Sequence, residues 1–158
     1  MSRTVGAGLA LVLALAVFLT DQFLKRLVEG SMRTGQSIPL VQDVLYLTYV
    51  KNSGGAFGIL GGQIAVLLAG SAVAIVFVLW VLLAGLPTLL TVVGCGLVLG
   101  GAAGNLLDRI AEGWVTDFLD LQFWPLQRWP VFNVADVAIV LGVVALLLAA
   151  LRPDKASR

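Results

Sequence analysis

Between Lys51 and Asp108 the chain carries no Asp, Glu, Lys or Arg. A water-soluble domain, in which roughly a quarter of the residues are charged, does not contain such a stretch. It is long enough for two helices of about 20 residues, each able to cross about 30 Å of hydrocarbon. Gly85, Leu86 and Pro87 divide it, because proline lacks an amide hydrogen and biases its predecessor out of the helix. Spans are therefore expected over about 64–84 and 88–107. A third apolar run, Val5 to Leu19 behind Arg3, has the outline of a secretory signal peptide, but it exits into Phe18, Leu19, Thr20, Asp21 and Gln22 without a small-residue cleavage site. Its stripe continues through Phe23, Leu24, Leu27 and Val28, which predicts a retained transmembrane helix over about 5–28. A fourth span is expected over about 134–151, ending before Arg152 and Pro153. Composition agrees: 59% of the 158 residues are hydrophobic and 12% charged, with a mean hydropathy of +1.01.

Four spans put both termini on one side of the membrane and the connections, about 29–63 and 108–133, together on the other. Ser37-Ile-Pro-Leu and Val44-Leu-Tyr-Leu-Thr-Tyr-Val50 are rich in β-branched and aromatic residues and read as short strands. The alternation in Val115-Thr-Asp-Phe-Leu-Asp-Leu121 adds a third. The expected fold is an α-helical integral membrane protein, a single domain over 1–158, with four transmembrane helices and a small β-sheet formed by the connections. Charge counting does not orient it. The terminal side holds Arg3, Arg152, Lys155 and Arg158, and the loop side holds Lys25, Arg26, Arg33, Lys51, Arg109 and Arg128 together with every acid except Asp154.

The chain has no histidine. That removes Ser-His-Asp and Cys-His nucleophilic sites, HExxH zinc sites and every histidine proton shuttle, so any acid–base chemistry must run on carboxylates, lysine or tyrosine. A net charge of +1 offers no field for nucleic acid. Cys95 lies mid-span among Gly94, Gly96 and Leu97, where a thiolate is disfavoured, and is expected to be idle.

Ionisable groups in or beside transmembrane segments are costly, and here they are Asp21, Lys25, Asp108, Arg109 and Asp136. Asp21 and Lys25 stand i,i+4 on one helix face, acid first, which suits an ion pair. Asn52-Ser-Gly-Gly-Ala-Phe-Gly58 reads as a tight turn whose asparagine can offer an amide to a ligand. Gly96, Gly100 and Gly104 line one face of the third span and let another helix approach closely, so that Asn105, Asp108 and Arg109 are held against neighbouring helix ends. Asp136 has two readings. It stands three residues after Asn133, where it completes a helix cap; or it meets a loop carboxylate, Asp117 or Asp120, and shares one proton with it as a histidine-free acid–base pair. Spacing alone does not choose between those two loop aspartates.

Taken in order, Asp21-Gln-x-x-Lys25, Asn52-x-Gly-x-Ala-Phe57, Gly100-Gly-x-x-Gly-Asn-x-x-Asp-Arg109, Asp117-Phe118 and Phe132-Asn-x-Ala-Asp136 resemble the signature blocks of lipoprotein signal peptidase (signal peptidase II). The resemblance covers nearly the whole chain. It implies an aspartic endopeptidase of the bacterial inner membrane, with both termini cytoplasmic and the site near the extracytoplasmic face. Its substrate would be a prolipoprotein whose cysteine already carries diacylglycerol, cut on the amino side of that cysteine. Asp117 and Asp136 would form the catalytic dyad, with Asp120 outside the pattern. Asn52, Asn105, Arg109 and Asn133 would line the site, and Asp21 and Lys25 would support it. No metal or other cofactor is implied; membrane lipid is the expected surroundings and a monomer the expected state. Thr116 departs from the pattern, where valine commonly precedes the first aspartate. The rival is a small transporter or channel subunit relaying ions through Asp21, Lys25, Asp108, Arg109 and Asp136. Transporters tend to place such groups near the midplane, whereas here they cluster at one end of the spans.

Overall fold

The computed structural model describes residues 1–54, 63–84 and 88–151. The glycine-rich part of the predicted turn (55–58), the predicted break at 85–87 and the basic residues from Arg152 onward lie outside the described residues. The elements are α1 (Arg3–Ser31), β1 (Ser37–Val41), β2 (Leu45–Asn52), α2 (Ile64–Ala84), α3 (Leu89–Ala111), β3 (Val115–Leu121) and α4 (Val134–Ala150). All four predicted spans are helices and all three predicted strands are strands. By length and composition α1, α2 and α3 can cross a membrane, and α4 is a shorter apolar helix.

Two helices run longer than hydropathy alone indicates, and both exceed their apolar stretch on the side where polar groups gather. The α1 helix starts at Arg3 because the Ser2 hydroxyl accepts the Val5 amide at 3.3 Å, and it continues past Val28 to Ser31. The α3 helix carries on through Asn105, Asp108 and Arg109 to Ala111. Gly113 ends it: at φ 83° it adopts the left-handed conformation that closes a helix, and its amide donates to the Arg109 carbonyl at 3.2 Å. Only Gly113 and Trp114 then separate Glu112 from β3, so the end of α3 and the start of β3 are held close together.

At the centre of the bundle is α3. In its apolar window 61% of the residues are buried inside the protein, against 22% for α1 and 11% for α2, so most of the side chains on those two face outward. Glycine makes this central position possible. A Cβ at Gly96 or Gly100 would lie 2.9 or 2.5 Å from the Ala10 and Ala14 carbonyl oxygens of α1. The predicted stripe is thus the α1–α3 contact. A second stripe was not anticipated: Gly94 and Gly101 of α3 and Gly142 of α4 bring those two backbones equally close. Without a hydrophobic driving force between helices in lipid, such close approach is what lets them associate.

The sheet is antiparallel in the order β1-β2-β3. Leu45 pairs with Leu121, Val50 with Asp117 and Asn52 with Val115, with a bulge between Leu47 and Val50. Beyond β3 the chain returns so that Leu119 and Phe132 exchange backbone hydrogen bonds at 2.7 and 3.0 Å. That exchange sets Asn133, the first residue before α4, beside Asp117.

The close packing generates a test. Gly100→Ala puts a methyl group against the Ala14 carbonyl, which is backbone and cannot move aside, so thermal unfolding in detergent should reveal a loss of about 1–3 kcal/mol. Gly70→Ala in α2, where nothing lies within 4 Å, should leave stability unchanged or slightly raised.

Candidate active site

The loop-side ends of α1, α3 and α4 meet over a buried cation. Lys25 is 2% exposed, and its Nζ lies 2.7 Å from Asp21 Oδ2 and 2.7 Å from Asp108 Oδ2. It also donates to Asn105 Oδ1 at 2.9 Å. The Asp21–Lys25 pair predicted from i,i+4 spacing is present, extended across to α3 by Asp108. The other oxygen of Asp21 accepts the Ala135 amide at 2.9 Å, in the first turn of α4, where the helix N-terminus favours an anion. Gln22, not singled out beforehand, donates to Asp108 Oδ1 at 2.7 Å and to the Gly104 carbonyl at 3.4 Å. Gly104 has to lack a side chain: a Cβ there would stand 2.6 Å from Asp21 Oδ2.

Asn105 and Asn133 carry this arrangement to two carboxylates. Asn105 Nδ2 donates to Asp136 Oδ1 at 2.8 Å. Asn133 is fully buried, and its Nδ2 donates to Asp117 Oδ1 at 2.6 Å and to Asn105 Oδ1 at 3.2 Å. Its own backbone amide donates to Asp136 Oδ2 at 3.2 Å, while the Asp136 amide donates to Asn133 Oδ1 at 2.9 Å. This is a capping box, so Asp136 does cap α4. It also faces the same pocket as Asp117, so the two readings of Asp136 coexist. On the far side of Asp117, Asn52 Nδ2 donates to Oδ2 at 2.8 Å. The Asn52 Oδ1 accepts the Gly54 amide at 3.0 Å, which fixes the orientation of its amide.

The pocket has a volume of about 390 Å³. Asn52, Arg109, Asp117 and Asp136 supply its polar wall, and Trp129 together with Val140 of α4 belongs to an apolar wall running down the helix. Arg109 Nη1 donates to the Asn105 carbonyl at 3.4 Å, and its Nε has no acceptor among the described residues. Burial, and next the negative charge of Asp136, push the Asp117 carboxyl up to about 7, against the pull of the Asn52 and Asn133 hydrogen bonds and of Lys25. A carboxyl in that range can hold a proton at neutral pH beside an ionised neighbour.

Asp120 sits on the opposite face of β3. It accepts Thr48 Oγ1 and Gln122 Nε2, each at 2.8 Å, and does not line the pocket. Cys95 is buried mid-helix with Sγ 3.7 Å from the Val78 carbonyl. No group of three or more His, Cys, Asp or Glu converges as a metal site among the described residues. Asp108 and Gln22 belong to the network although their individual roles were not assigned from sequence. Both fall within the signature blocks, which was the available signal.

Because Lys25 is shared by two buried carboxylates, Lys25→Met leaves both uncompensated. The expected cost is roughly 3–5 kcal/mol, measured by thermal unfolding in detergent. A smaller loss should follow Asp108→Asn, since the Asp21 ion pair is kept.

The family model described as signal peptidase (SPase) II matches residues 13–152. A lipoprotein signal peptidase of Halothermothrix orenii is 40% identical over 144 residues, covering 91% of this chain and 96% of that one. One from Syntrophotalea carbinolica is 41% identical over 143 residues, covering 88% of each. Two solved bacterial membrane enzymes share the fold. One has a TM-score of 0.86 at 27% identity, covering 96% of this chain and 92% of its own. The other has a TM-score of 0.82 at 28% identity, covering 92% and 94%. With its helices, sheet and polar helix ends in that arrangement and relatives at this identity along nearly its whole length, the chain belongs to the signal peptidase II family.

Proposed function

We propose that Asp117 and Asp136 are the catalytic pair of this membrane protease, and that they hydrolyse the bond preceding the lipid-modified cysteine of a prolipoprotein. The observation that carries the assignment is that both carboxylates line one pocket and both are hydrogen-bonded to Asn133. Asp117, raised to about 7, holds the proton, and Asp136, which receives the Asn105 and Asn133 N–H groups, is the ionised partner. Asp136 takes a proton from a water as its oxygen attacks the scissile carbonyl, and Asp117 gives its proton to the carbonyl oxygen. Collapse of the tetrahedral diol returns a proton to Asp117 and sends the one on Asp136 to the departing amine, which restores the pair. Arg109 adds positive charge at the rim of the pocket.

Orientation follows from the same reading. The α1 helix runs toward the site and α4 away from it, so Arg3 and Ala150 belong to the opposite end of the bundle. With the substrate translocated, the site faces outward at the membrane surface and both termini are cytoplasmic. The apolar wall along α4 suits a substrate held by a lipid, with bilayer lipid around the outward-facing helices. The pocket is built by one chain and works as a monomer. Nothing in the fold favours the ion-relay alternative: the polar groups gather at one end of the helices and close on one another through hydrogen bonds.

Asp117→Asn and Asp136→Asn should each lower turnover of a lipid-modified prolipoprotein in detergent by about 10²- to 10⁴-fold or more. The double variant should be hardly worse than either, because the pair acts as a unit. Asp120→Asn should stay within a few-fold of the unaltered protein. Normal turnover by Asp136→Asn, with only a lower unfolding temperature, would reduce Asp136 to its capping role and end the assignment.

A pH dependence follows from the raised Asp117. Its folded-state value of about 7 lies above the ordinary 3.8, so the proton is held more tightly in the folded protein. The stability this gives is complete below about 4 and is lost as pH rises through about 7. Turnover should fall over the same upper limb, because the working form has one proton on the pair. A pH–rate profile flat between 6 and 9 would contradict it.

A further inference from the structure

One polar contact near the pocket belongs to none of the groups described so far. Thr116, 2% exposed, donates from Oγ1 to Glu29 Oε1 at 2.5 Å, joining β3 to the last turns of α1 across 87 positions of sequence. Two residues further along the strand, on the same face, Phe118 is buried in a cluster with Val28 of α1, with Met32 just past the end of that helix and with Tyr49. Asp117 stands between these two anchors and points to the other face, toward Asn52 and Asn133. The strand at Asp117 is therefore fastened to α1 by an apolar contact on one side and, among the described residues, by the Thr116–Glu29 hydrogen bond on the other. Valine, common at position 116 in the signature the chain resembles, could supply packing there but no donor.

We infer that Glu29 and Thr116 are a positioning pair, which holds β3 against α1 so that the Asp117 carboxylate keeps its place opposite Asp136. The inference rests on the assignment of Asp117 as catalytic. The neighbouring groups do not duplicate the bond. Lys51, paired with Thr116 across β2 and β3, has its Nζ over the Trp114 ring at 4.1 Å, and Thr48 is engaged by Asp120. Glu29 is exposed, accepts the Thr116 hydroxyl at Oε1 and does not line the pocket, so it holds the strand from outside it. A small displacement of a reacting group is expensive in rate, whereas substrate held mainly by the apolar wall should bind as before.

The test uses the full chain in detergent with a lipid-modified prolipoprotein. Thr116→Val keeps the β-branched shape and should lower kcat by about tenfold with KM within about twofold. Glu29→Ala should do the same, and Glu29→Gln, whose amide oxygen still accepts the hydroxyl, should recover most of the loss. In the Glu29→Ala protein, adding Thr116→Val should cost nothing further, since both changes remove one bond. A Thr116→Val protein with kcat within twofold of the unaltered chain overturns the inference. So does a change confined to KM, or losses that multiply in the double variant. Should Thr116→Val not fold, the Glu29→Ala and Glu29→Gln comparison, made at an exposed side chain, decides by the same criteria. Asp117→Asn runs alongside: if it turns over normally, the dyad assignment and this inference fall together, and if it is inactive while Thr116→Val is unimpaired, only this inference falls.

Discussion

Lys25 is an ammonium group buried where the ends of three helices converge, and the geometry of the site depends on it. An ion in such a place costs several kcal/mol unless its surroundings neutralise it and accept its hydrogens. Here Asp21, Asp108 and Asn105 all lie within 2.9 Å of it, one from its own helix and two from α3. Satisfying that cation fixes how far α1 and α3 slide along each other. Asp21 extends the constraint to α4 through the Ala135 amide, and Gly104 leaves room for its carboxylate. Small residues permit these helices to approach; the ion cluster selects one axial register among those that close packing alone allows.

The cation also gives the network a direction. An ammonium group can only donate, so Asn105 must turn its oxygen toward Lys25, and its amide nitrogen then faces Asp136. Asn133 is fixed in the same manner by the helix it caps. Its oxygen accepts the Asp136 amide, which leaves its nitrogen for Asp117 and Asn105. Two asparagines, each with one orientation available, deliver N–H groups to the two carboxylates. A histidine-free chain can in this way position the proposed acid–base pair with amides and one buried lysine, while burial pushes the Asp117 carboxyl up to about 7. The cap of α4 and the candidate site are one piece of structure, so loosening the helix start also displaces the two carboxylates.

Much of this was legible in the chain. The four helices follow from hydropathy and length, the three strands from β-branched and aromatic runs, the Asp21–Lys25 pair from i,i+4 spacing and the Asn133–Asp136 cap from residue type and position. Each depends on residues at most a few turns apart. The resemblance to signal peptidase II singled out Asp117 and Asp136 as the proposed dyad and pointed to the asparagines around it, where spacing had left Asp117 and Asp120 open. The charge count, by contrast, gave no orientation: among the loop-side cations Lys25 is a buried partner of Asp21 and Asp108, and Lys51 lies over the Trp114 ring.

What the residues alone did not decide is which faces meet. Asp117 and Asp120 are three apart on a strand and so must face opposite ways; that Asp117 is the one turned to Asn52 and Asn133 follows from the pairing of β3 with β2 and its bridge to Phe132. The glycine contact between α3 and α4, Gln22 on Asp108, and Glu29 on Thr116 each join residues far apart in sequence, so no local periodicity announces them. Hydropathy and local spacing determined the elements and the residue types at their ends, because those depend on short-range propensity and on solvent. The tertiary structure decided the partners, because a buried charge or amide is settled only by whichever groups the packed helices bring within hydrogen-bonding distance.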